Sequence, residues 1–258
     1  MTPTIPDWNP ETYARFRGLR LRPALDLLAQ VGPLPEGAIY DLGCGNGAAG
    51  EALTTRYPGR VEGVDASPAM LAKAGETGCY VALHEADIAV WSGPDAAMIF
   101  SNAALQWLPD HAALLPRLAA MLVPGGVLAV QMPRNHLQPS HRFLRDIAAS
   151  MFPDRFDFAG YEAPVAAAAT YWELLSGLGQ VLAWETEYVQ QLAPTPIGHP
   201  VRAFTESTAM RPFVEKLTSD EEVAFNAAYD AALGVAYPLL PDGAALFPFR
   251  RVFFTLTV

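Results

Sequence analysis

Lysine is almost missing from this sequence. Of its 17 basic residues only Lys73 and Lys216 are lysines, the other cations are arginines, and 27 acids leave a net charge of −10. No basic field exists to hold a nucleic-acid backbone, and an acidic carrier protein meets overall repulsion. Cysteine is as sparse: Cys44 and Cys79 are too few for a disulfide framework and lack metal-ligand spacing, and the five histidines lie too far apart to suggest a metal site. A reducing cytoplasm is the expectation. No run approaches the roughly 18 apolar residues of a membrane span. The start, with Pro3, Pro6, Asp7, Trp8 and Pro10, has no apolar core for a secretory signal. Also missing are a Ser-His-Asp or Cys-His set and the Tyr-x-x-x-Lys arrangement of a short-chain dehydrogenase. That absence does not exclude an enzyme whose nucleophile is already ionised.

Apolar residues are plentiful, 51% of 258, enough for one domain with an elaboration. The chain is organised around Ile39-Tyr40-Asp41-Leu42-Gly43-Cys44-Gly45-Asn46-Gly47, an apolar strand end entering a turn with three alternate glycines before a helical pattern. Glycine tolerates φ > 0 there and lets a ligand approach the backbone closely. Gly43, Gly45 and Ala48 also satisfy the dinucleotide fingerprint in its G-x-G-x-x-A form, so an NAD-binding oxidoreductase stands as an alternative. Charge favours another ligand. Asp41 repels a pyrophosphate but suits S-adenosylmethionine, which brings an ammonium and a sulfonium.

Alternation sets the fold. Strands are expected at 38–42, 61–65, 80–84, 96–101, 126–132, 181–189 and 249–257, and helices at 47–57, 68–75, 111–122, 139–150 and 168–178. This predicts an α/β fold with a doubly wound, mostly parallel seven-stranded sheet. An N-terminal helical lid is expected over 1–31, where Trp8, Tyr13 and Phe16 interleave with Arg15, Arg17, Arg20 and Arg22. A helical cap is expected over 190–247, before the last strand, with plain packing on the sheet edge as the alternative.

Acids follow the strands. Asp65, 22 residues after Gly43, is placed to accept from ribose hydroxyls. Ser67-Pro68 reads as a helix start, and Met70 as core or as the flank of an adenine. Asp87 can accept an adenine amino group while Ile88 packs on the ring. After the fourth strand, Asn102, Gln106 and Trp107 shape a pocket, or Trp107 is plain core.

These residues together, Asp41-Leu42-Gly43-Cys44-Gly45-x-Gly47, Asp65-x-Ser67-Pro68-x-Met70, Ala86-Asp87-Ile88 and Ser101 to Trp107, resemble the class I S-adenosylmethionine-dependent methyltransferases. More narrowly, Asp7-Trp8-Asn9-Pro10-x-x-Tyr13-x-x-Phe16, Gln106 to His111, Val130-Gln131-Met132-Pro133-x-Asn135, Met210-Arg211-Pro212 and Phe247-Pro248-Phe249-Arg250-Arg251 resemble the trans-aconitate branch of that family. The resemblance implies a Rossmann-like methyltransferase domain, cofactor contacts that include Cys44 and Ala66, and esterification of a small tricarboxylate by a monomeric cytosolic enzyme. A carboxyl methyltransferase acting on a malonyl group of an acyl carrier protein is the nearby alternative. A non-catalytic cofactor-binding module that meets a protein partner through the aromatic N-terminus is another.

Carboxylates titrate near pH 4, so such a nucleophile needs no general base, only positioning. No catalytic acid or base is therefore assigned. Holding a tricarboxylate in an acidic protein calls for arginine forks. The candidates for substrate binding are Arg20, Arg22, Arg134, Arg211, Arg250 and Arg251, with Tyr13, Trp107 and His141 beside them.

Overall fold

The computed structural model describes residues 17–206 and 208–258, with side chains from residue 21 onward. Tyr13, Trp8 and Phe16 therefore lie outside the described residues, as does the side chain of Arg20.

Helix α1 (Arg17–Leu28) packs Ala24, Leu27 and Leu28 against the sheet at β5. Its carboxyl end is held by Arg56, whose guanidinium donates to the carbonyls of Leu28 and Val31. Arg22, a lid candidate, forms an exposed pair with Asp26 one turn on. There follow β1 (Ala38–Leu42), α2 (Gly50–Arg56), β2 (Val61–Asp65), α3 (Pro68–Glu76), β3 (Ala82–Glu85) and β4 (Ala96–Asn102). A 3-10 turn (Leu105–Trp107) leads to α4 (His111–Ala119), β5 (Leu122–Pro133), α5 (Pro139–Met151), α6 (Ala168–Leu175) and β6 (Gln180–Leu192). Last come α7 (Pro200–Glu206), α8 (Arg211–Val214), α9 (Ser219–Ala236) and β7 (Ala245–Thr257).

The seven strands form one sheet in the order β3-β2-β1-β4-β5-β7-β6. The pairs from β3 to β5 are parallel, and β7 runs antiparallel to β5. Ile39, Leu42, Val61, Val64, Ala96 to Phe100 and Val127 to Val130 are all buried. Continuous apolar runs of this kind mark strands covered on both faces. Strand order reverses between β1 and β4, and open α/β sheets bind ligands outside the carboxyl ends at such a reversal.

Several boundaries moved, β5 and β7 each starting four residues early, and two moved for local reasons. The helix after the glycine loop starts at Gly50 rather than 47, because Gly47 sits at φ +80° and cannot begin a right-handed helix. The helix expected to 122 stops at Ala119, because Leu122 already pairs with Ala96 in the sheet.

The chain divides into two units. Unit 1 takes the residues up to Pro133, Ala166–Thr186 and Arg251–Val258; unit 2 takes Arg134–Val165 and Glu187–Arg250. The helices of the expected cap thus share a unit with α5. Unit 2 has its own core, in which Phe156, Phe213, Phe225 and Tyr229 stack in series. The Tyr229 hydroxyl donates to the Ser140 carbonyl at 2.6 Å, joining α9 to α5. A reciprocal cap between Thr218 and Glu221 starts α9. Among the described residues no helix is long and apolar enough to cross a membrane.

Candidate functional site

Three segments of unit 1 meet at Gly43. The residue lies at φ +77°, and a Cβ there would fall 2.2 Å from Ala104 Cβ and 3.3 Å from Ile88 Cδ1. Any side chain at 43 would push apart the loops that follow β1, β3 and β4. Gly45 is different: it lies at φ +54° with nothing within 4 Å of its Cβ position, leaving open space above the loop.

Asp65, at the end of β2, ties this region together. One carboxylate oxygen accepts from the Gly45 amide at 2.8 Å and the other from the Ser67 amide at 2.9 Å. The glycine loop and the start of α3 are thereby held to one side chain. Ser67 in turn caps α3 by accepting from the Met70 amide. Ala66 is exposed, whereas Met70 is buried in the core.

Asp41 is 2% exposed and accepts a 2.7 Å hydrogen bond from the Tyr80 hydroxyl. Burial raises its carboxyl to about 7, with the Tyr80 bond pulling down and the Asp65 charge adding a further upward push. The Cys44 thiol, buried in the same loop, is raised by burial first and then by Asp41 and Asp65, so it stays protonated. Tyr80 is a site residue that the sequence pattern did not reveal. Its ring lies under the loop, close enough that a Cβ on Gly47, Gly50 or Gly63 would meet it at 3.2, 2.8 or 3.2 Å. Its separation of 39 residues from Asp41 leaves no local signal to find it by.

Asp87 is exposed and accepts from the Ala89 amide at 2.9 Å, shaping the turn after β3. That turn is anchored from α4 by Arg117, which donates to the carbonyls of Ile88, Ala89 and Trp91 and was likewise missed from sequence. Beyond β4, Ser101 donates to the Leu42 carbonyl at 2.8 Å, binding the two strand ends at the reversal point. The buried Oδ1 of Asn102 has no hydrogen-bond partner. Ala103 adopts φ +56°, which turns the chain toward the glycine loop. The 3-10 turn is pinned by His111, bonded to the Leu105 carbonyl and the Tyr171 hydroxyl. Trp107 is 58% exposed, so it is not core.

In unit 2 the Arg134 amide donates to the Arg250 carbonyl at 2.9 Å, and the Arg250 amide to Asn135 Oδ1 at 2.7 Å. These two arginines are neighbours. The Arg250 guanidinium lies 3.7 Å from Glu187, and Arg211 pairs with Glu215 at 3.5 Å on its own short helix. His141 is held at about 3 by burial and by the nearby His136 and Arg145, so it is neutral at pH 7. His136, five residues earlier, packs edge to face with it.

A family model described as a methyltransferase domain matches residues 39–126. A trans-aconitate 2-methyltransferase of Azoarcus sp. strain BH72 is 42% identical over 253 residues, 96% of this chain and 98% of the relative. One from Methylobacterium nodulans is 43% identical over 258 residues, covering 96% of each. Among solved structures, the YcgJ protein of Bacillus subtilis superposes with a TM-score of 0.54 at 14% identity, covering 95% of this chain and 98% of its own, a likeness of fold.

Proposed function

The chain belongs to the trans-aconitate 2-methyltransferase family, and from that premise we propose that it esterifies one carboxylate of trans-aconitate or a similar small tricarboxylate, using S-adenosylmethionine as methyl donor. The observation that carries this reading is the meeting of three loops on Gly43, with Asp41 and Asp65 beneath them.

The residues fit that cofactor. Open space over Gly45 admits a ligand against the backbone. Each oxygen of Asp65 keeps a lone pair beyond its one amide bond, so the carboxylate can also receive ribose hydroxyls. Asp41 and the unpartnered Asn102 Oδ1 are acceptors that suit an ammonium donor, and a pyrophosphate would meet repulsion from both acids. Ile88 and the turn of Asp87 offer an apolar edge and an acceptor for a purine, with Gly43, Cys44 and Ala66 on the neighbouring loops and Met70 supporting α3 from the core. When bound, S-adenosylmethionine supplies an electrophilic methyl group on a sulfonium.

The rest is positioning by the protein. The substrate carboxylates are ionised at neutral pH, so no side chain has to accept a proton before attack. What remains is to hold the anion in line and exclude water. Arg134, Arg211 and Arg250 enter by chemistry, because a guanidinium fork matches a carboxylate bidentately. His141, kept neutral, can offer a hydrogen bond without altering the charge balance. The exposed Trp107 supplies an apolar surface on unit 1. The enzyme is read as a cytoplasmic monomer that uses neither nucleic acid nor membrane, in keeping with its charge of −10 and its two free cysteines.

The test is to incubate the protein with labelled S-adenosylmethionine and a panel of tricarboxylic and dicarboxylic acids, then identify esters by mass spectrometry. A monomethyl ester of trans-aconitate is expected; no ester from any tricarboxylate would sink the proposal. Thermal stabilisation by S-adenosylhomocysteine but not by NAD checks the cofactor separately.

A further inference from the structure

Where the carboxyl ends of β4 and β5 meet the amino-terminal half of the antiparallel β7, unit 1 gathers polar side chains that the cofactor reading does not use. Gln131 is 0% exposed and Arg251 is 4% exposed. Arg251 Nη1 donates to Gln131 Oε1 at 3.1 Å, which fixes the amide so that its Nε2 is the outstanding donor. That Nε2 is buried without a hydrogen-bond partner. Leaving such a group unsatisfied costs its full desolvation, so a well-packed strand rarely carries one without use.

Register places these groups on one face. Gln131 pairs with Asn102 on β4 and with Phe253 on β7, and Arg251 lies two residues from Phe253 on the same side. Asp41 pairs with Phe100, two residues before Asn102, and so shares that face. Across the sheet the sequence of chemistry is therefore carboxylate on β1, unpartnered acceptor on β4, unpartnered donor on β5, guanidinium on β7. Neighbouring strands are roughly 4.8 Å apart, so the span from β4 to β7 is on the order of 10 Å, the size of a small polycarboxylate. Acceptors thus stand at the β1–β4 end of this row and donors at the β5–β7 end.

We propose that Gln131 Nε2 is a substrate-binding donor, oriented by Arg251, that receives a carboxylate of the substrate other than the one being esterified. Arg251 is a positioning residue that also makes this end of the face electropositive. The inference rests on the proposed reaction with a tricarboxylate and names the residue that tells it from a dicarboxylate.

The experiment compares kcat/KM for trans-aconitate and for an unsaturated dicarboxylate lacking one acetate arm, in wild type, Gln131→Leu and Gln131→Glu, with the S-adenosylhomocysteine dissociation constant of each. Gln131→Leu should lower the preference for the tricarboxylate at least tenfold, acting through KM, while the dicarboxylate and S-adenosylhomocysteine values stay within about twofold. Gln131→Glu should lower the preference further, because it sets a carboxylate against a carboxylate. Equal losses on both acids, or an unchanged preference, would overturn the assignment of Gln131 while leaving the reaction intact. A wild-type enzyme inactive on both acids would instead overturn the reaction, and this inference with it. The two glutamine variants differ in charge and packing, so a folding defect in one leaves the other to decide.

Discussion

The glycine-loop region of unit 1 and the arginines of unit 2 are held in different ways. Around Gly43 three side chains are locked by backbone, Asp65 by two amides, Arg117 by three carbonyls and Ser101 by one, while Asp41 is held by the Tyr80 hydroxyl. In unit 2, Arg211 holds a carboxylate of its own helix one turn on, and Arg250 lies near a glutamate of the next strand. A site for a rigid nucleotide can be set by strand ends and positive φ angles. A site for a small anion needs charges that can exchange one carboxylate for another.

The sharpest way to break the contrast is to put a side chain on Gly43. A β-branched residue at φ +77° is strained, and its Cβ would stand 2.2 Å from Ala104 Cβ. Strain and overpacking together place Gly43→Val at about 5 kcal/mol of lost stability, with cofactor binding abolished. Gly125 is the control, because it too has positive φ, +80°, but nothing within 4 Å. Gly125→Ala should cost only about 1 kcal/mol by chemical denaturation.

Next in size is the pH response of Asp41. Its folded carboxyl is raised from 3.8 to about 7, so the folded state holds a proton that the unfolded chain releases. Stability therefore falls as pH rises from about 4 to about 7 and is flat above, with a limit of about 4 kcal/mol. Asp41→Asn should remove most of that slope in denaturation midpoints measured from pH 5 to 8. A bound ammonium favours the ionised form, so S-adenosylhomocysteine should bind more tightly as pH rises through 7 and should not do so in the variant. Tyr80→Phe removes the bond that pulls the pKa down and should move the midpoint upward.

Smaller again is Asp65→Ala. It frees the amides of Gly45 and Ser67 and should weaken S-adenosylhomocysteine binding roughly 10- to 100-fold by calorimetry. An unchanged dissociation constant would separate the loop-tying role of Asp65 from ligand binding.

The same contrast explains what could be read from the chain before its structure. Strands β1 and β2 match their expected bounds of 38–42 and 61–65, because short apolar runs ended by an acid and a glycine carry their signal locally. Gly43 and Asp65 were legible for that reason: one needs a positive φ and the other a fixed distance after it. Tyr80, Arg117 and Gln131 were not. Each matters through a partner on another strand or helix, 39 residues away for Tyr80 and Asp41, 120 for Gln131 and Arg251, and sheet order decides whether they meet. Arg22 looked like Arg134 in the sequence, yet an aspartate one helical turn away makes it a surface pair.

The smallest expected change in stability is at Arg211. Its partner Glu215 is half exposed at 3.5 Å, and an exposed i,i+4 pair contributes about 0.5 kcal/mol or less, so Arg211→Ala should leave the denaturation midpoint almost where it was. Its effect on catalysis is expected to be larger than its effect on folding. If Arg211 gives up Glu215 for a substrate carboxylate, KM for trans-aconitate should rise roughly tenfold while the S-adenosylhomocysteine dissociation constant holds, the loss of one charge-assisted bond. Arg134→Ala and Arg250→Ala, measured alongside, test whether the adjacent pair behaves as a unit: a double variant no worse than either single would mean that both arginines hold the same carboxylate. Should all three leave KM unchanged, the anion is held by unit 1 alone, and the two regions divide not into cofactor and substrate but into chemistry and scaffold.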